Sequence, residues 1–375
     1  MALTLSEDQQ LLRDSARSFL DDKSPVSRMR ALRDERDATG FSRAVWKVMA
    51  DLGWLGIQLR AEHGGSGKGL REVAVIMTEC GRVLAPEPVL STLLLGANAV
   101  RLSSNEALKG DVLPAVAAGQ RLIAFALEET GRFDPYAINT AAVLTADGYC
   151  ITGEKRYVLD GHTADQIVVV ARTSGAAGDR DGLALFFVDA DTDGVEIVRT
   201  TMMDGRNAAR VGFAGANVGA DRLLGNAELL DRVLDEATLG LAAEMVGMAE
   251  EAFERTLEHL KEREQFGVKI GTFQALRHRA AEMFAELEFA RSLVLDGLSA
   301  VDGDRDDISL SASAAKTQAN KAARLIGAEA IQMHGGIGMT DELDIGLFFK
   351  RLRAADITLG DASYHLRRFA SLKGY

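Results

Sequence analysis

The hydrophobic period of the chain changes twice, and this change constrains the fold more than any other feature. Up to about residue 121, apolar side chains recur at three- and four-residue steps, as in VWKVMADLGWLGI and REVAVIMTECGRVL, which favours amphipathic helices. Short β-branched and aromatic runs follow, such as DQIVVVART and GLALFFVDA, separated by Gly and Asp, and these predict strands. Helical spacing then returns, so the predicted order is helices, a β unit and helices.

The longest apolar stripes lie in the C-terminal part of the chain. One contains Leu239, Ala242, Val246, Ala249, Phe253, Leu257 and Leu260, and the next contains Phe273, Leu276, Ala280, Met283, Leu287, Ala290 and Val294. A third helical segment, LSASAAKTQANKAARLIGAEAIQ, follows them. Such stripes predict a helical bundle. We therefore expect a mainly α protein with an N-terminal helical domain (1–121), a middle β domain (122–225) and a C-terminal bundle (226–375).

Composition restricts the classes of protein. The 375 residues, 47% of them hydrophobic, suffice for two or three units with their own cores. No apolar run approaches the ~20 residues of a membrane span, and the acidic, amphipathic N-terminus is not a signal peptide. A net charge of −12 argues against nucleic acid or an anionic membrane as the main partner. Two cysteines form no disulfide framework, and we expect a cytoplasmic protein.

Two familiar kinds of site are disfavoured by their spacing. The stretch GGSGKGL, Gly64 to Leu70, resembles a phosphate loop, but no Lys-Ser/Thr pair closes it and no strand precedes it. The six histidines show no H-E-x-x-H or similar spacing. We therefore expect neither nucleoside triphosphate binding nor a metal site.

Two C-terminal motifs are more informative. REQFGVKIGTFQ, Arg263 to Gln274, joins the two long helices, and QMHGGIGMTDE, Gln332 to Glu342, follows the third. The first offers a guanidinium, which suits a phosphate, beside an aromatic ring. The second exposes main-chain N–H groups at its glycines. Together they suit a long anionic ligand with a pyrophosphate and a flat ring, although an inter-helix turn and a helix C-cap would explain each motif singly.

These motifs, together with the N-terminal pattern W…LGWLGIQL…EHGGSG…EC, resemble the acyl-CoA dehydrogenase family over essentially the whole chain. The resemblance implies an N-terminal helical domain, a middle β-barrel or sandwich and a C-terminal four-helix bundle. FAD would lie between the β domain and the bundle, with its ADP half held partly by a neighbouring subunit. The implied reaction in lipid metabolism is α,β-desaturation of an acyl-CoA thioester. A carboxylate takes the α-proton, the flavin takes the β-hydride and an electron-transfer flavoprotein collects the electrons.

Carried over residue by residue, the resemblance implies a cofactor-binding set of Arg263, Phe266, Gln274, Gln332, Gly335, Gly336 and Asp361. Arg263 and Phe266 would contact the pyrophosphate and the adenine end. Gln332 and Gly336 would meet the ADP half of a neighbour's cofactor.

The usual catalytic base is missing. In the family it is the glutamate of a Y-E-G triplet, but here the triplet reads TLG, and Leu359 cannot accept a proton. Its backbone N–H, which the resemblance implies as a donor to the thioester oxygen, is retained. Some family members carry a second glutamate on the first long helix of the bundle, the helix that bears Glu244.

Glu244 is the single charged residue in LGLAAEMVGMA. Leu241 and Met248, at i−3 and i+4, make its face apolar, and desolvation makes a carboxylate a stronger base. We therefore predict that Glu244 is the displaced base, while a structural acid bonded to an arginine or to the backbone is the alternative. Asp361 is a second candidate base, although a cofactor contact or a helix N-cap also fits it.

The β domain departs from the family as well. LEETGRFD replaces L-T-E-P…G-S-D, and KRYVLDG replaces K-x-W-I-T-N-G. Glu128, Phe133 and Leu159 thus stand where hydroxyl residues commonly touch the flavin or its phosphates, and Tyr157 replaces a tryptophan on the flavin face. We expect this chain's own β domain to hold flavin weakly.

Two hypotheses for function follow. The chain is a catalytic dehydrogenase acting alone or as a homo-oligomer, or it is one subunit of a hetero-oligomer, such as a tetramer with a homologous sister chain. Two-chain enzymes that shorten bulky sterol side chains resemble it in lacking the usual glutamate, and leucine at this position is compatible with a bulky or branched acyl group. A purely structural subunit and a flavin oxidase or monooxygenase are further alternatives.

Overall fold

The computed structural model describes residues 4–375, so Met1 to Leu3, the start of the predicted N-terminal domain, lie outside the described residues. The helices that precede the strands are α1 (Glu7–Lys23), α2 (Val26–Asp34), α3 (Arg43–Asp51), α4 (Leu70–Arg82), a π-helix (Val89–Ala97) that runs directly into α5 (Asn98–Leu102), and α6 (Glu106–Ala117). Ser6 starts α1 in a reciprocal capping box with Gln9, and Ser42 caps α3. These caps satisfy N–H groups that a helix start leaves without a helical partner.

The predicted β region forms one eight-stranded sheet. Its strands are β1 (Ile123–Ala126), β2 (Ala141–Leu144), β3 (Gly148–Leu159), β4 (Gln166–Arg172), β5 (Leu183–Asp189), β6 (Val195–Thr201), β7 (Asn207–Gly219) and β8 (Leu223–Asn226). The order is β6-β7-β3-β2-β4-β5-β8, and β1 pairs in parallel with β4. Strand β4 is buried at every residue, as its unbroken apolar run requires. Two register shifts interrupt the β3–β7 ladder, one of them between Lys155 and Val158.

Helices return after the sheet, which confirms the predicted order and fold class. They are α7 (Ala227–Glu262), α8 (Gln274–Asp302), α9 (Ile308–His334), α10 (Ile345–Ile357) and α11 (Ala362–Leu372). In the two predicted stripes, Leu239 to Phe253 and Met283 to Val294 are buried, whereas Phe273 is 37% exposed. Among residues 4–375, no helix combines the length and the apolar character needed to cross a membrane.

The chain divides into two compact units that do not follow the sequence order. The bundle unit contains the chain up to Arg30, Leu70–Ala85 and Thr238–Tyr375, and the sheet unit contains Ala31–Gly69 and Pro86–Ala237. Helices α1 and α4 therefore pack with the C-terminal helices. The other N-terminal helices belong to the unit that contains the sheet.

Within the bundle unit, α4 and α7 approach each other through glycines. A Cβ atom added to Gly81 would lie 2.1 Å from the carbonyl oxygen of Glu244, and one added to Gly247 would lie 1.9 Å from the carbonyl oxygen of Thr78. No real Cβ atom tolerates such distances to backbone. The two helices are thus in backbone contact, which fixes the turn of α7 that carries Glu244.

We expect Gly247→Ala to lower the free energy of unfolding by about 1–3 kcal/mol, because the added methyl group overpacks the contact with Thr78. The matched control is Gly110→Ala in α6, where an added Cβ meets nothing within 4 Å and helix propensity predicts a gain of about 0.5–1 kcal/mol. Urea unfolding measures both changes. A Gly247→Ala variant as stable as wild type would show that α4 and α7 are not in backbone contact.

Candidate active site

The first motif forms a hairpin between the two long helices. Strands β9 (Glu264–Gln265) and β10 (Val268–Lys269) pair antiparallel, and the turn between them has positive φ at Phe266 (55°) and Gly267 (78°), as two-residue hairpins require. Phe266 is 92% exposed, with its ring edge-on to Phe273 at 6.2 Å. An aromatic ring this exposed is unusual for an ordinary helix connection, and Arg263 beside it is also exposed.

The second motif ends α9. Gly335 occupies the C-cap with φ 66°, so the expected helix cap is present. Gly336 is different, because its φ is not positive and a Cβ atom there would meet nothing within 4 Å. Nothing in the described chain therefore demands glycine at 336. Glycine at an open position leaves the backbone accessible to a group from outside the chain.

The structure brings these two motifs to the same end of the bundle unit. His259, in the last turn of α7, and His334, the last residue of α9, stack with ring centroids 4.4 Å apart. Arg263 lies just beyond the end of α7, and its backbone N–H donates to the carbonyl of His259 at 2.9 Å. A guanidinium, an exposed ring and an open glycine backbone thus lie at one end of the helices. This donor set fits the ADP half of FAD.

The third functional segment is the turn after α10. Leu359 is buried and has φ 56°, and Gly360 has φ 103°. The N–H groups of Thr358 and Gly360 donate to backbone carbonyls at 3.1 and 3.2 Å, but, in the described part of the chain, the N–H of Leu359 donates to no backbone carbonyl. A leucine in the left-handed region is strained, and such strain clusters at functional sites. The turn thus carries a backbone N–H without a backbone acceptor among the described residues at Leu359, the position that the resemblance assigns to the missing glutamate.

Asp361 starts α11. Its Oδ1 accepts a hydrogen bond from the N–H of Tyr364 at 2.8 Å, which confirms the expected N-cap. Beneath the same turn lies Lys316 of α9, which is fully buried and which sequence reasoning missed. In the sequence, Lys316 looks like one of many solvated helix lysines. The only signal is that small residues, Ala315 and Ala319, lie beside it on the face that packs.

Glu244 is 1% exposed, so its predicted burial is confirmed. A second buried acid on α7, Glu236, was not predicted. It accepts hydrogen bonds from Arg101 (2.6 Å), Arg232 (2.8 Å) and Asn98 (3.1 Å). Two guanidinium partners hold Glu236 as a structural carboxylate. The sequence could not reveal this, because Arg101 lies far away along the chain.

Adjacent glutamates of the sheet unit occupy opposite electrostatic environments. Glu129 accepts from the Nζ of Lys155 at 2.7 Å and from the N–H of Thr140 at 2.9 Å. Burial opposes ionisation of Glu129, but attraction to Lys155 and these hydrogen bonds outweigh it and lower its pKa. Burial lowers the pKa of Lys155 to about 8. For Glu128, burial acts alone and raises the pKa to about 7.

The other residues of the sheet unit that depart from the family pattern are Tyr157, Phe133 and Leu159. Tyr157 lies in the register shift of β3 with φ 53° and is 46% exposed. Phe133 and Leu159 are half-buried and carry no hydroxyl. Of the three residues that replace hydroxyls, only Glu128, when protonated, has an O–H to donate. The residues of the sheet unit therefore fit a flavin less well than those at the end of the bundle unit fit ADP.

Family sequence models match nearly the whole chain. They are described as the N-terminal domain of acyl-CoA dehydrogenase (residues 6–120), its middle domain (124–215) and its C-terminal domain (228–371).

Individual proteins match over the same length. A solved structure of a variant of the Tcur3481–Tcur3483 steroid ACAD is 33% identical, covers 99% of each chain and superposes with a TM-score of 0.90. The ChsE4–ChsE5 complex of Mycobacterium tuberculosis is 25% identical, covers 100% of this chain and 99% of the other, and has a TM-score of 0.91. Subunit CarC of the caffeyl-CoA reductase–Etf complex of Acetobacterium woodii is 29% identical over 95% of both chains.

The environment of Glu128 predicts an unusual dependence of stability on pH. Because its pKa is raised from 4.5 to about 7 in the folded chain, the stability that it contributes is full below pH 4.5 and is lost as pH rises through 7. Glu128→Gln cannot ionise, so at pH 8 it should be more stable than wild type by about 1–3 kcal/mol. The gain should vanish near pH 4.

The neighbouring glutamate supplies the control. Glu129→Gln leaves the buried ammonium of Lys155 without its carboxylate and should lower the free energy of unfolding by about 3–5 kcal/mol. Urea unfolding between pH 4 and pH 8 measures both variants. If Glu128→Gln and wild type keep the same stability difference throughout this range, the carboxyl of Glu128 is not desolvated.

Proposed function

We propose that the chain catalyses α,β-dehydrogenation of an acyl-CoA thioester. It belongs to the acyl-CoA dehydrogenase family, whose members are FAD-dependent oxidoreductases acting on CH–CH groups. One observation carries the proposal. The bundle unit holds both a buried carboxylate, Glu244, and a strained turn in which the N–H of Leu359 has no backbone acceptor among residues 4–375. A base and a carbonyl donor are the two groups that the chemistry needs from protein.

The donor acts on the thioester. A hydrogen bond from the N–H of Leu359 to the thioester oxygen stabilises the negative charge that develops when the α-proton leaves. Glu244 takes that proton. Its neighbours at i−3 and i+4, Leu241 and Met248, are fully buried, so the carboxylate lies in an apolar environment. Asp361, whose Oδ1 caps α11, is the second candidate.

FAD, when bound, supplies the acceptor for the β-hydride. Arg263 and Phe266 would hold its pyrophosphate and adenine end, and Gln332, Gly335 and Gly336 would offer an amide side chain and an open backbone. Gln274, the exposed first residue of α8, would add a second amide. We propose that the electrons pass to an electron-transfer flavoprotein, since the relative CarC is named as part of a complex with one.

We further propose a bulky, sterol-like acyl group. Leucine in place of glutamate removes a charged group from the substrate side of the turn. One of the similar structures is described as a steroid ACAD. The leucine substitution and the likeness to a steroid ACAD both bear on the space and the polarity around the acyl chain.

A second candidate function is that of a half-site subunit in a heteromeric dehydrogenase, a tetramer by family analogy. The observation in its favour is the poor fit of Glu128, Phe133 and Leu159 to a flavin. The complex of ChsE4 with ChsE5 is a related assembly of two named chains. In this arrangement the chain supplies a base, a carbonyl donor or an ADP site to a sister chain.

Glu244→Gln tests the assignment of the base. The amide cannot accept the α-proton, so the rate of flavin reduction by a bound acyl-CoA should fall by at least about 10²-fold. Flavin content should stay at the wild-type level. Stopped-flow absorbance under anaerobic conditions measures the rate.

Glu254→Gln is the matched control, because Glu254 is an exposed acid of the same helix, and it should reduce flavin at the wild-type rate. Asp361→Asn is measured alongside. Wild-type bleaching by Glu244→Gln would disprove its role as base, and loss of bleaching by Asp361→Asn alone would transfer the role.

Expression experiments distinguish the two candidate functions. If the sheet unit holds flavin weakly, the chain purified alone should contain well under one FAD per chain. Co-expression with a homologous sister chain should restore full occupancy. Flavin absorbance relative to protein measures the ratio, and a fully yellow chain purified alone would favour the homo-oligomeric enzyme.

A further inference from the structure

A buried lysine holds the turn that carries Leu359. Lys316, on α9, is 0% exposed. Its Nζ donates to Asn320 Oδ1 at 2.8 Å and to the backbone carbonyls of Ala355 (2.9 Å), Gly360 (3.2 Å) and Asp356 (3.3 Å). An ammonium has three N–H groups for these four acceptors. It therefore ties the end of α10 to the residue after Leu359.

Burying a lysine at this place is unfavourable in free energy. The last carbonyls of a helix need donors, and a cation near them is favourable, but an exposed side chain or a glycine cap normally meets that need. Removing an ammonium from water costs several kcal/mol unless its hydrogen bonds are complete. A charged side chain that is buried despite this free-energy cost usually fixes a backbone conformation that an exposed side chain or a glycine cap does not.

A second side chain holds the same turn. His365, on α11, is 1% exposed, and its Nε2 lies 2.9 Å from the carbonyl oxygen of Leu359. Burial is the largest of the causes that lower the pKa of His365 to about 3, so the ring is neutral and Nε2–H donates. The carbonyls of Leu359 and Gly360 thus each have a buried donor. The N–H of Leu359, by contrast, meets no backbone acceptor in the chain from residue 4 onwards.

We infer that Lys316 is a positioning residue: its ammonium fixes the left-handed turn at Leu359 so that the N–H of Leu359 stays available to a substrate carbonyl oxygen. The identity of that oxygen rests on the proposed function. The inference that the lysine holds the turn does not rest on the proposed function, because it follows from the contacts of Nζ alone. Loss of the ammonium removes this donor from the carbonyls of Ala355 and Asp356 and leaves that of Gly360, within the described chain, with only the amide of Asn320 at 3.4 Å. The strained φ of Leu359 then loses part of the contacts that maintain it.

The hydrogen bonds of Lys316 depend on its protonation state. Burial lowers the pKa of Lys316 from its usual 10.5 to about 7, against the attraction of nearby aspartates. The neutral amine has two N–H groups for the four acceptors, instead of the three of the ammonium. The charged and titratable groups around it are Asp356, Asp361, Arg324, Arg353, His365 and Arg368.

Stability changes with pH in the same window. The unfolded chain binds a proton at Lys316 between pH 7 and pH 10.5 that the folded chain lacks, so the contribution of this lysine to the free energy of unfolding rises with pH in that window. Any local opening that brings Lys316 into water takes up the same proton, so it also becomes less favourable as pH rises above 7.

The test is Lys316→Met, which keeps the length of the stem and removes the charge. Lys321→Met is the matched control on the same helix, since Lys321 is 62% exposed and pairs with Glu286 on the surface. Each variant is made in the full chain with its natural flavin and partners. Hydrogen–deuterium exchange of the peptide spanning residues 355–361 should be at least about tenfold faster in Lys316→Met and unchanged in Lys321→Met.

Kinetics and pH give the second readout. With acyl-CoA as substrate, kcat should fall at least about tenfold in Lys316→Met at equal flavin content, with little change in KM. In wild type, local opening that exposes Lys316 takes up a proton above pH 7, so the protection of peptide 355–361, corrected for intrinsic exchange, should rise between about pH 7 and pH 9. This measurement remains available if Lys316→Met fails to fold.

Failure of this inference and failure of the proposed function give different results. Unchanged protection of residues 355–361 in Lys316→Met, or pH-independent protection in wild type, would overturn the inference whatever the activity. A wild-type protein whose flavin no acyl-CoA reduces would refute the proposed function, while the exchange data would still decide whether Lys316 holds the turn.

Discussion

Complete burial of the middle of α7 is the constraint on which the proposed catalytic site depends. Every residue from 233 to 249 is buried, and at Gly247 the helix backbone touches α4 directly. Neither helix can slide or rotate at such a contact without a steric clash. The backbone of Glu244 is thereby fixed by packing that involves no side chain of its own. A carboxylate in this position keeps its orientation only as long as Gly81 and Gly247 keep the helices together.

Buried charges are handled differently in different parts of the molecule. Glu236 is held by two arginines, and Glu129 is held by Lys155. Lys316 is held chiefly by backbone carbonyls rather than by a carboxylate contact. An ion pair neutralises a charge, whereas an ammonium on carbonyls fixes a backbone conformation. The second kind of contact occurs at the turn of Leu359, the position that the resemblance assigns to the family's usual glutamate, where we propose that the backbone N–H acts on the substrate.

The period of the apolar residues was sufficient to predict the helices, the sheet region and the two bundle stripes, because burial of one face imposes that period locally. Sequence could not group α1 and α4 with the C-terminal helices, since that grouping depends on contacts between distant segments. The motifs around Arg263 and Gly336 were recognisable as surface features. Lys316 was not, because a lysine among alanines gives no local sign that carbonyls of another helix surround it.

Departures from the family are unevenly distributed, and this asymmetry bears on the choice between the two candidate functions. The end of the bundle unit keeps the guanidinium, the exposed ring and the open glycine that suit ADP. The sheet unit replaces hydroxyl donors by Glu128, Phe133 and Leu159, of which only protonated Glu128 can donate. A chain under a uniform requirement to bind its own flavin would keep both halves. Retention of one half alone agrees better with the proposed half-site subunit, in which a sister chain supplies the flavin-binding residues that this sheet unit lacks.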